Sequence, residues 1–499
     1  MFTINAHDSA RRGTPRRVTR LLAVPILAIL LGLPRFAAKP ASFDAAAYDA
    51  IHPKLSAAIE ERTSGEGCGG WYEAYAQAHT AVRSGRDPHP RYAVMVSFAS
   101  GLADRLTCSL TVLLYAVLSN RAYEYVWYGN HVLWESLQSR WIDWRAPPRN
   151  LTLGKIARGG RGGDDDPVLP VVEENHFWAQ PERSELLMPF YSQSGRVHER
   201  LKTMFSNSDV SAGGALHDVV LWELNHGMVG AMMDNPWISG RLKSMGLTLD
   251  TVTHCLFNLA YTPSPAALAP LKGSDLLEKL MDPLSFVIAI QVRIGDQVFW
   301  GQDNATQALS TGAPYFDCAQ QLTAELERAP EFGGLGDAGA GSGGGDKSAV
   351  QAALQSIGAF QQADARESEQ PARKVYWMLI SDSALLRKAA KTAYGGGGRL
   401  LVAEDLPIDH VQDYARNGQG GLHAAASELW LFGQAHIHIV TGHSNYGRLG
   451  AMAGKQRPMI YGVHNHGHRT CKLGRPDPMD DIFTWAIWMR RSRSSRRSG

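Results

Sequence analysis

Three groups in the C-terminal half have side chains suited to gripping an anion, and each stands where an apolar run stops. In SFVIAIQVRIGDQVFW, residues 285–300, the run 286–290 is followed by a single guanidinium, Arg293. A short Ile- and Val-rich run closing at Gly295 predicts a buried strand rather than a helix. Ligands of open α/β sheets bind beyond the carboxyl ends of the strands, so Arg293 is placed to offer its fork of donors to a pyrophosphate. An ion pair with Asp296 or another surface acid is the competing reading. KVYWMLISDS, residues 374–383, predicts a second strand with Asp382 just past its end, and a strand over 437–440 empties into Ser444, Asn445 and Gly447 ahead of a helix. Small residues before a helix expose backbone N–H donors to an anion. A carboxylate cannot serve phosphates, but it can accept from the Watson–Crick edge of guanine. Asp382 and Ser444 can each also be read as helix caps. Together, at successive strand ends, the three groups fit a nucleoside diphosphate.

The elements that must position them alternate. The pattern predicts a strand at YAVMVSF from Tyr92, a turn over 99–105 and an apolar helix over 106–118. Further on it predicts a helix over 275–281, the Arg293 strand, and a helix over 384–394. A short strand at 400–403, a helix over 422–434, the 437–440 strand, a helix through Ala453 and a strand over 457–463 complete the series. Strands alternating with helices predict parallel βαβ units, and the C-terminal half reads as a Rossmann-type nucleotide domain. GGRGGDDD at 159–166 reads as a linker, and the Gly-rich stretch 333–345 opens a flexible surface insertion running to Pro371.

Of the 499 residues, 44% are hydrophobic and 20% charged, enough material for two packed cores. The net charge of +2 conceals arginine clusters at both termini, among them Arg11, Arg12, Arg16, Arg17 and Arg20 at the start and Arg490 to Arg497 at the end. The middle is therefore mildly acidic, which argues against a nucleic-acid partner. Residues 21–33, LLAVPILAILLGL, follow the first cluster without a charge. Basic residues before an apolar segment keep the N-terminus cytosolic, so 21–33 is expected to be an uncleaved signal anchor, with a cleaved signal peptide as the competitor. Asn150 and Asn304 head glycosylation triplets, consistent with a lumenal body. Five cysteines without metal-ligand spacing allow one or two disulfides and leave one thiol over, and the sequence does not choose the pairs.

At these residues the chain resembles a known family. IAIQVRIGD is similar to the first motif of GDP-fucose-dependent fucosyltransferases, VYWMLISDSALLRKAA to the second with its aspartate, and VTGHSNYGRLGAMAG to the third. SGLADRLTCSLTVLLYAVLSNRAYEY resembles the Gly-Leu-Gly-Asn-Arg segment that opens these enzymes, and LFNLAYTPSPA the stretch before their first motif. The likeness spans roughly residues 92–465 and lies nearest the plant xyloglucan and α1,6-type enzymes. It implies an α/β, GT-B-like fold in which two Rossmann-like domains face a cleft, with an N-terminal membrane anchor. The implied division is a cytosolic tail and anchor (1–45), a stem (46–90), an acceptor-side domain (91–280), a nucleotide-sugar domain (281–480) carrying the insertion 328–371, and a basic tail (481–499). A single-pass type II protein of the Golgi membrane, catalytic in the lumen, follows from the same likeness.

Residue by residue, the resemblance implies that Arg293 binds the donor pyrophosphate and is the catalytic cation, and that Gln291 and Asp382 face the guanosine. Ser444, Asn445, Gly447 and Arg448 line the phosphate turn, while Gly101 and Arg105 bring the first-half loop onto the donor. Ala103 and Asp104 depart from the family's Gly-Asn. Arginine would supply the cation, so no metal and no cofactor beyond the GDP-fucose donor is expected, and the acceptor is a glycan on a polysaccharide or glycoprotein. Asp296, Glu428 and His443 are the candidates for taking the acceptor's proton. Trp178, Trp222 and Trp237 are candidates for stacking on sugar faces. Two other readings stay open: a non-catalytic lumenal protein that binds glycan or nucleotide sugar, and a serine hydrolase. The hydrolase is disfavoured because Tyr446 replaces the second glycine of a nucleophile elbow at Gly442-His-Ser444.

Overall fold

Runs of apolar residues too long to alternate become strands buried on both faces, as parallel sheets require. In the computed structural model of the chain, β7 (Ser285–Val292) is the plainest case, with all eight residues buried. The structure describes residues 43–97, 101–127, 132–146, 202–215, 217–224, 227–295, 304–328, 332, 373–409, 419–442, 444–456, 458–463 and 471–477, together with the strand at 185–190. The expected anchor at 21–33, the linker at 159–166, the Gly-rich stretch 333–345, the basic tail, Asn150, Trp178, Asp296 and His443 lie outside the described residues. Among the described residues no helix is long and apolar enough to cross a membrane.

The first sheet is built from β1 (Tyr92–Ser97), β2 (Ala122–Trp127), β4 (Glu185–Phe190) and β5 (Val219–Leu224), in the order β2-β1-β5-β4, all parallel. Between β2 and β4 lies β3 (Leu137–Gln138), which pairs antiparallel with β6 (Thr262–Pro263). The second sheet adds β8 (Lys374–Ser381), β9 (Leu400–Leu401), β10 (Ile437–Thr441) and β11 (Met459–Val463) to β7. Its order is β11-β10-β7-β8-β9, again parallel. Chain order therefore reverses between β7 and β10, and a doubly wound sheet opens its ligand crevice at that switch point.

The helices used below are α1 (Leu55–Thr63), α2 (Tyr72–Arg83), α3 (Leu102–Leu118), α4 (Leu133–Ser136) and α5 (Val252–Ala260). They continue with α6 (Ala305–Leu326), α7 (Ala384–Tyr394), α8 (Gln419–Phe432) and α9 (Asn445–Gly454). α3 is apolar nearly all round because it is sandwiched. One side meets the first sheet, where Tyr115 packs edge-on to Trp222, and the other meets Leu422, Leu429, Leu449 and Ala453 of α8 and α9. α8 and α9 approach closely at two glycines, where a Cβ on Gly454 would collide with the Gly433 backbone.

The segment expected as a stem is packed into the body. Arg62 of α1 donates from Nε to Asn258 Oδ1 (3.1 Å) and from Nη1 to Trp430 O (2.8 Å), while Cys68, just past α1, is bonded to Cys255 in α5. Asn258 in turn donates to Ala453 O at 2.8 Å, so a chain of buried hydrogen bonds runs from α1 through α5 to α8 and α9. Helical spacing was legible over this stretch, but partners some 200 to 370 positions away were not. Cys318 and Cys471 form the second disulfide, and Cys108 is the buried free thiol. The 22-residue α6 is an element that the sequence reading did not assign.

Candidate functional site

The carboxyl ends of β7, β8 and β10 deliver Arg293, Asp382 and Thr441 to one place. Gly295 takes a positive φ of 123°, which turns the chain sharply after β7. Asp382 receives the Ile294 N–H on Oδ1 (2.8 Å) and the Gly295 N–H on Oδ2 (3.1 Å). Arg293 Nε lies 3.2 Å from the same Oδ2. Asp382 is nearly buried, whereas the Arg293 side chain is 35% exposed, so the carboxylate is the fixed member and the guanidinium the one that reaches the crevice. Burial pushes the Asp382 carboxyl above its ordinary range, against the pull of Arg293 and of the two N–H groups.

Both oxygens of Asp382 are engaged within the protein, on the turn after β7 and on Arg293, so it orients that guanidinium. It does not cap α7, because Ser383 does, its hydroxyl accepting the Leu386 N–H at 3.0 Å. Gln291 is likewise turned inward: it is 4% exposed and its Oε1 accepts the Thr441 N–H at 3.2 Å. It ties β7 to β10 and does not face an open nucleotide site.

Thr441 is the hub that the sequence reading missed. Its hydroxyl accepts the Arg293 N–H (2.9 Å), donates to Gln291 O (3.3 Å) and meets Tyr315 Oη (2.8 Å). A fully buried hydroxyl at a strand end needs such partners, and that is the signal that could have found it. Ser444 stands at the start of α9 with no side-chain capping bond. Gly447 lets α9 sit down on the end of β7, since a Cβ there would come within 2.7 Å of Gln291 Oε1. Arg448 folds back to donate to Gly442 O within the same turn.

Asp104 proves to be a bridge. Its Oδ1 accepts from Asn445 Nδ2 at 2.7 Å, joining the first turn of α3 to the first turn of α9 and bringing two helix N-termini together beside Arg293's strand end. Gly101 is the extended residue that starts α3. Arg105 is buried, its guanidinium 4.2 Å from the centre of the Trp127 ring, so it braces β2 against α3.

Glu428 is not available as a base. It is buried against Arg387 at 2.8 and 2.9 Å, and Arg387 is anchored on Ser381 O at the end of β8. A second strand-end carboxyl is Glu223, the penultimate residue of β5, paired in register with Val96 near the carboxyl end of β1. It is 7% exposed, and burial raises its carboxyl from the ordinary 4.5 to about 7. One acid inside the apolar run VVLWEL carries no local mark of function, and its burial is visible only in the fold. Of the tryptophans considered for sugar stacking, Trp222 is fully buried in the core and Trp237 is 67% exposed. Among the described residues no group of His, Cys, Asp and Glu is arranged to hold a metal.

No protein-family model matches the chain, and no curated protein does. Among solved structures it is similar to an Arabidopsis thaliana FUT1 mutant in complex with GDP, at 15% identity and a TM-score of 0.47, over 82% of this chain and 80% of that one. It is also similar to NodZ alpha-1,6-fucosyltransferase soaked with GDP-fucose, at 12% identity and a TM-score of 0.35, over 75% of this chain and 94% of that one.

Proposed function

We propose that the chain is an inverting glycosyltransferase that moves fucose from GDP-fucose to a hydroxyl of a glycan. The observation carrying this reading is Arg293, anchored through Nε on a buried carboxylate at the switch point of a doubly wound sheet, beside the N-terminus of α9. A diphosphate laid there meets a fixed cation and a positive helix end, both on the side where strand-end ligands bind. The three motif resemblances in chain order point to the same donor. As the bond between the sugar's anomeric carbon and the phosphate oxygen breaks, negative charge grows on the diphosphate, and a preoriented guanidinium stabilises that charge. The acceptor oxygen forms the new bond on the opposite face of the sugar, and its proton must go to a base. The expected anchor at 21–33 would hold the enzyme in the Golgi membrane with this region in the lumen.

The test of donor choice is thermal unfolding with GDP, GDP-fucose, UDP and UDP-glucose. The guanosine compounds are expected to raise the melting temperature and the uridine compounds to leave it unchanged. Equal protection by all four, or by none, would count against the reading.

Glu223, near the carboxyl end of β5, is a strand-end carboxyl whose raised pKa suits it to take a proton near neutral pH, and it is our candidate for the acceptor's base. Glu223→Gln is expected to lower turnover about a hundredfold and to leave GDP binding unchanged. Turnover of the parent should rise with pH through about 7 as the carboxyl ionises. The linked stability has the opposite slope. A carboxyl whose folded pKa is raised binds its proton more tightly when folded, so its contribution is present below the ordinary 4.5 and is lost as pH climbs to about 7. Melting curves of parent and variant between pH 4 and 8 check the sign: the parent should lose stability over that range relative to Glu223→Gln.

A further inference from the structure

A cavity of about 460 Å³ lies where the two halves meet, lined by Trp134, Gln138, Asp143, Arg145, Ser264 and His423 among others. Its place relative to Arg293 follows from α8. Near that helix's C-terminal end, Glu428 meets Arg387, which donates to Ser381 O at the last residue of β8. α8 runs antiparallel to the strands, as a crossover helix between parallel β9 and β10 must. At 1.5 Å per residue, His423 stands about 7 Å further out than Glu428 and Gln419 about 13 Å, beyond the carboxyl edge of the sheet. There Gln419 Nε2 donates to Val132 O and Ser136 Oγ, both at 2.8 Å, and His423 Nδ1 lies 2.9 Å from Ser136 Oγ. The cavity therefore lies beyond the carboxyl edge of the second sheet, the edge at which Arg293 stands, and both halves wall it.

Its chemistry is unlike that of the phosphate end. Among the described residues the one guanidinium in the wall, Arg145, is held by Asp143 through two contacts at 2.7 and 3.0 Å, and Glu135 adds a further negative charge. Burial lowers the His423 pKa against the pull of Glu135, which favours the neutral ring. Among the described residues the wall thus carries no uncompensated cation for a second phosphate. It presents an indole, Trp134, that is 41% exposed, and a second indole in the same wall, Trp144, that is 2% exposed. An exposed flat apolar face among carboxylate, amide and hydroxyl groups matches a pyranose, which has one C–H face to stack and a rim of hydroxyls to bond.

We propose that this cavity binds the acceptor as a neutral oligosaccharide stacked on Trp134. This rests on the transferase reading, so the test separates the two. Wild type, Trp134→Ala and Trp134→Phe are compared with cellotetraose, maltotetraose and N-acetyllactosamine as probes. Direct calorimetric titration of each sugar comes first, followed by GDP release from GDP-fucose with and without the sugar that binds.

At least one sugar is expected to bind the wild type. Trp134→Ala should weaken it about tenfold, Trp134→Phe should restore most of the loss, and acceptor KM should move in parallel while kcat and acceptor-free GDP release stay near normal. Binding of none of the three sugars, or binding unchanged in Trp134→Ala, overturns the assignment of the cavity. Sugar binding that depends on Trp134 in a chain that never releases GDP from GDP-fucose would keep the cavity and sink the transferase reading instead.

Discussion

Arg293→Lys is expected to cut turnover by two to three powers of ten, or about 3–4 kcal/mol of transition-state stabilisation, while the fold stays intact. Lysine keeps the charge but loses the planar fork, and the present orientation depends on that fork because Asp382 Oδ2 holds it at Nε, 3.2 Å away. A lysine ammonium is one point charge, so it cannot both rest on Asp382 and hold two diphosphate oxygens in fixed directions. The fold should tolerate the change because Asp382 keeps the Ile294 and Gly295 N–H bonds, which fix the turn after β7. Were Arg293 only a partly exposed ion-pair residue, the same change would cost well under about 1 kcal/mol and turnover would be near normal. Steady-state GDP release from GDP-fucose by the two proteins, with their melting temperatures, distinguishes these outcomes.

Glu428→Ala is expected to destabilise the protein by about 3–5 kcal/mol, because it strands the Arg387 guanidinium where that side chain is 3% exposed. The pair locks α7 to α8, and through Arg387's bonds to Ser381 O and Ala403 O it also pins the end of β8. Burial raises the Glu428 carboxyl and Arg387 lowers it. Replacing both partners by apolar residues of similar volume, Arg387→Met with Glu428→Leu, should cost much less than the single change, since no uncompensated charge remains. Urea unfolding at pH 7 measures both. A single variant within about 1 kcal/mol of the parent would show that water reaches the pair.

What could be read from the sequence was whatever is local. β7, β8 and β10 fall where the apolar runs put them and α7 spans the expected 384–394, because a strand covered on both faces writes itself as an unbroken apolar run. Arg293 and Asp382 were also recognisable as strand-end groups. That they would turn to each other was not, since the contact joins neighbouring strands separated by the long stretch between 293 and 382. The same limit hid the partners of Arg62, the Cys68–Cys255 bridge and the reach of Asn445 to Asp104. Asp104 looked like a defect in a glycine-rich loop because its partner belongs to the other half of the chain. Glu223 and Trp134 were overlooked for a related reason: an acid in a strand and an indole near a turn acquire chemical meaning only from burial and from what lies opposite them.

The central claim is that this crevice turns over GDP-fucose. Its most direct test is the release of GDP by the purified protein from GDP-fucose, GDP-mannose, UDP-glucose and UDP-galactose, each with a mixed glycan acceptor, with the products separated by chromatography. GDP release from GDP-fucose is expected to run well above that from the other three, together with a fucosylated glycan product. Release of UDP from a uridine sugar at a higher rate, or no turnover of GDP-fucose by a protein that binds it, would contradict the account.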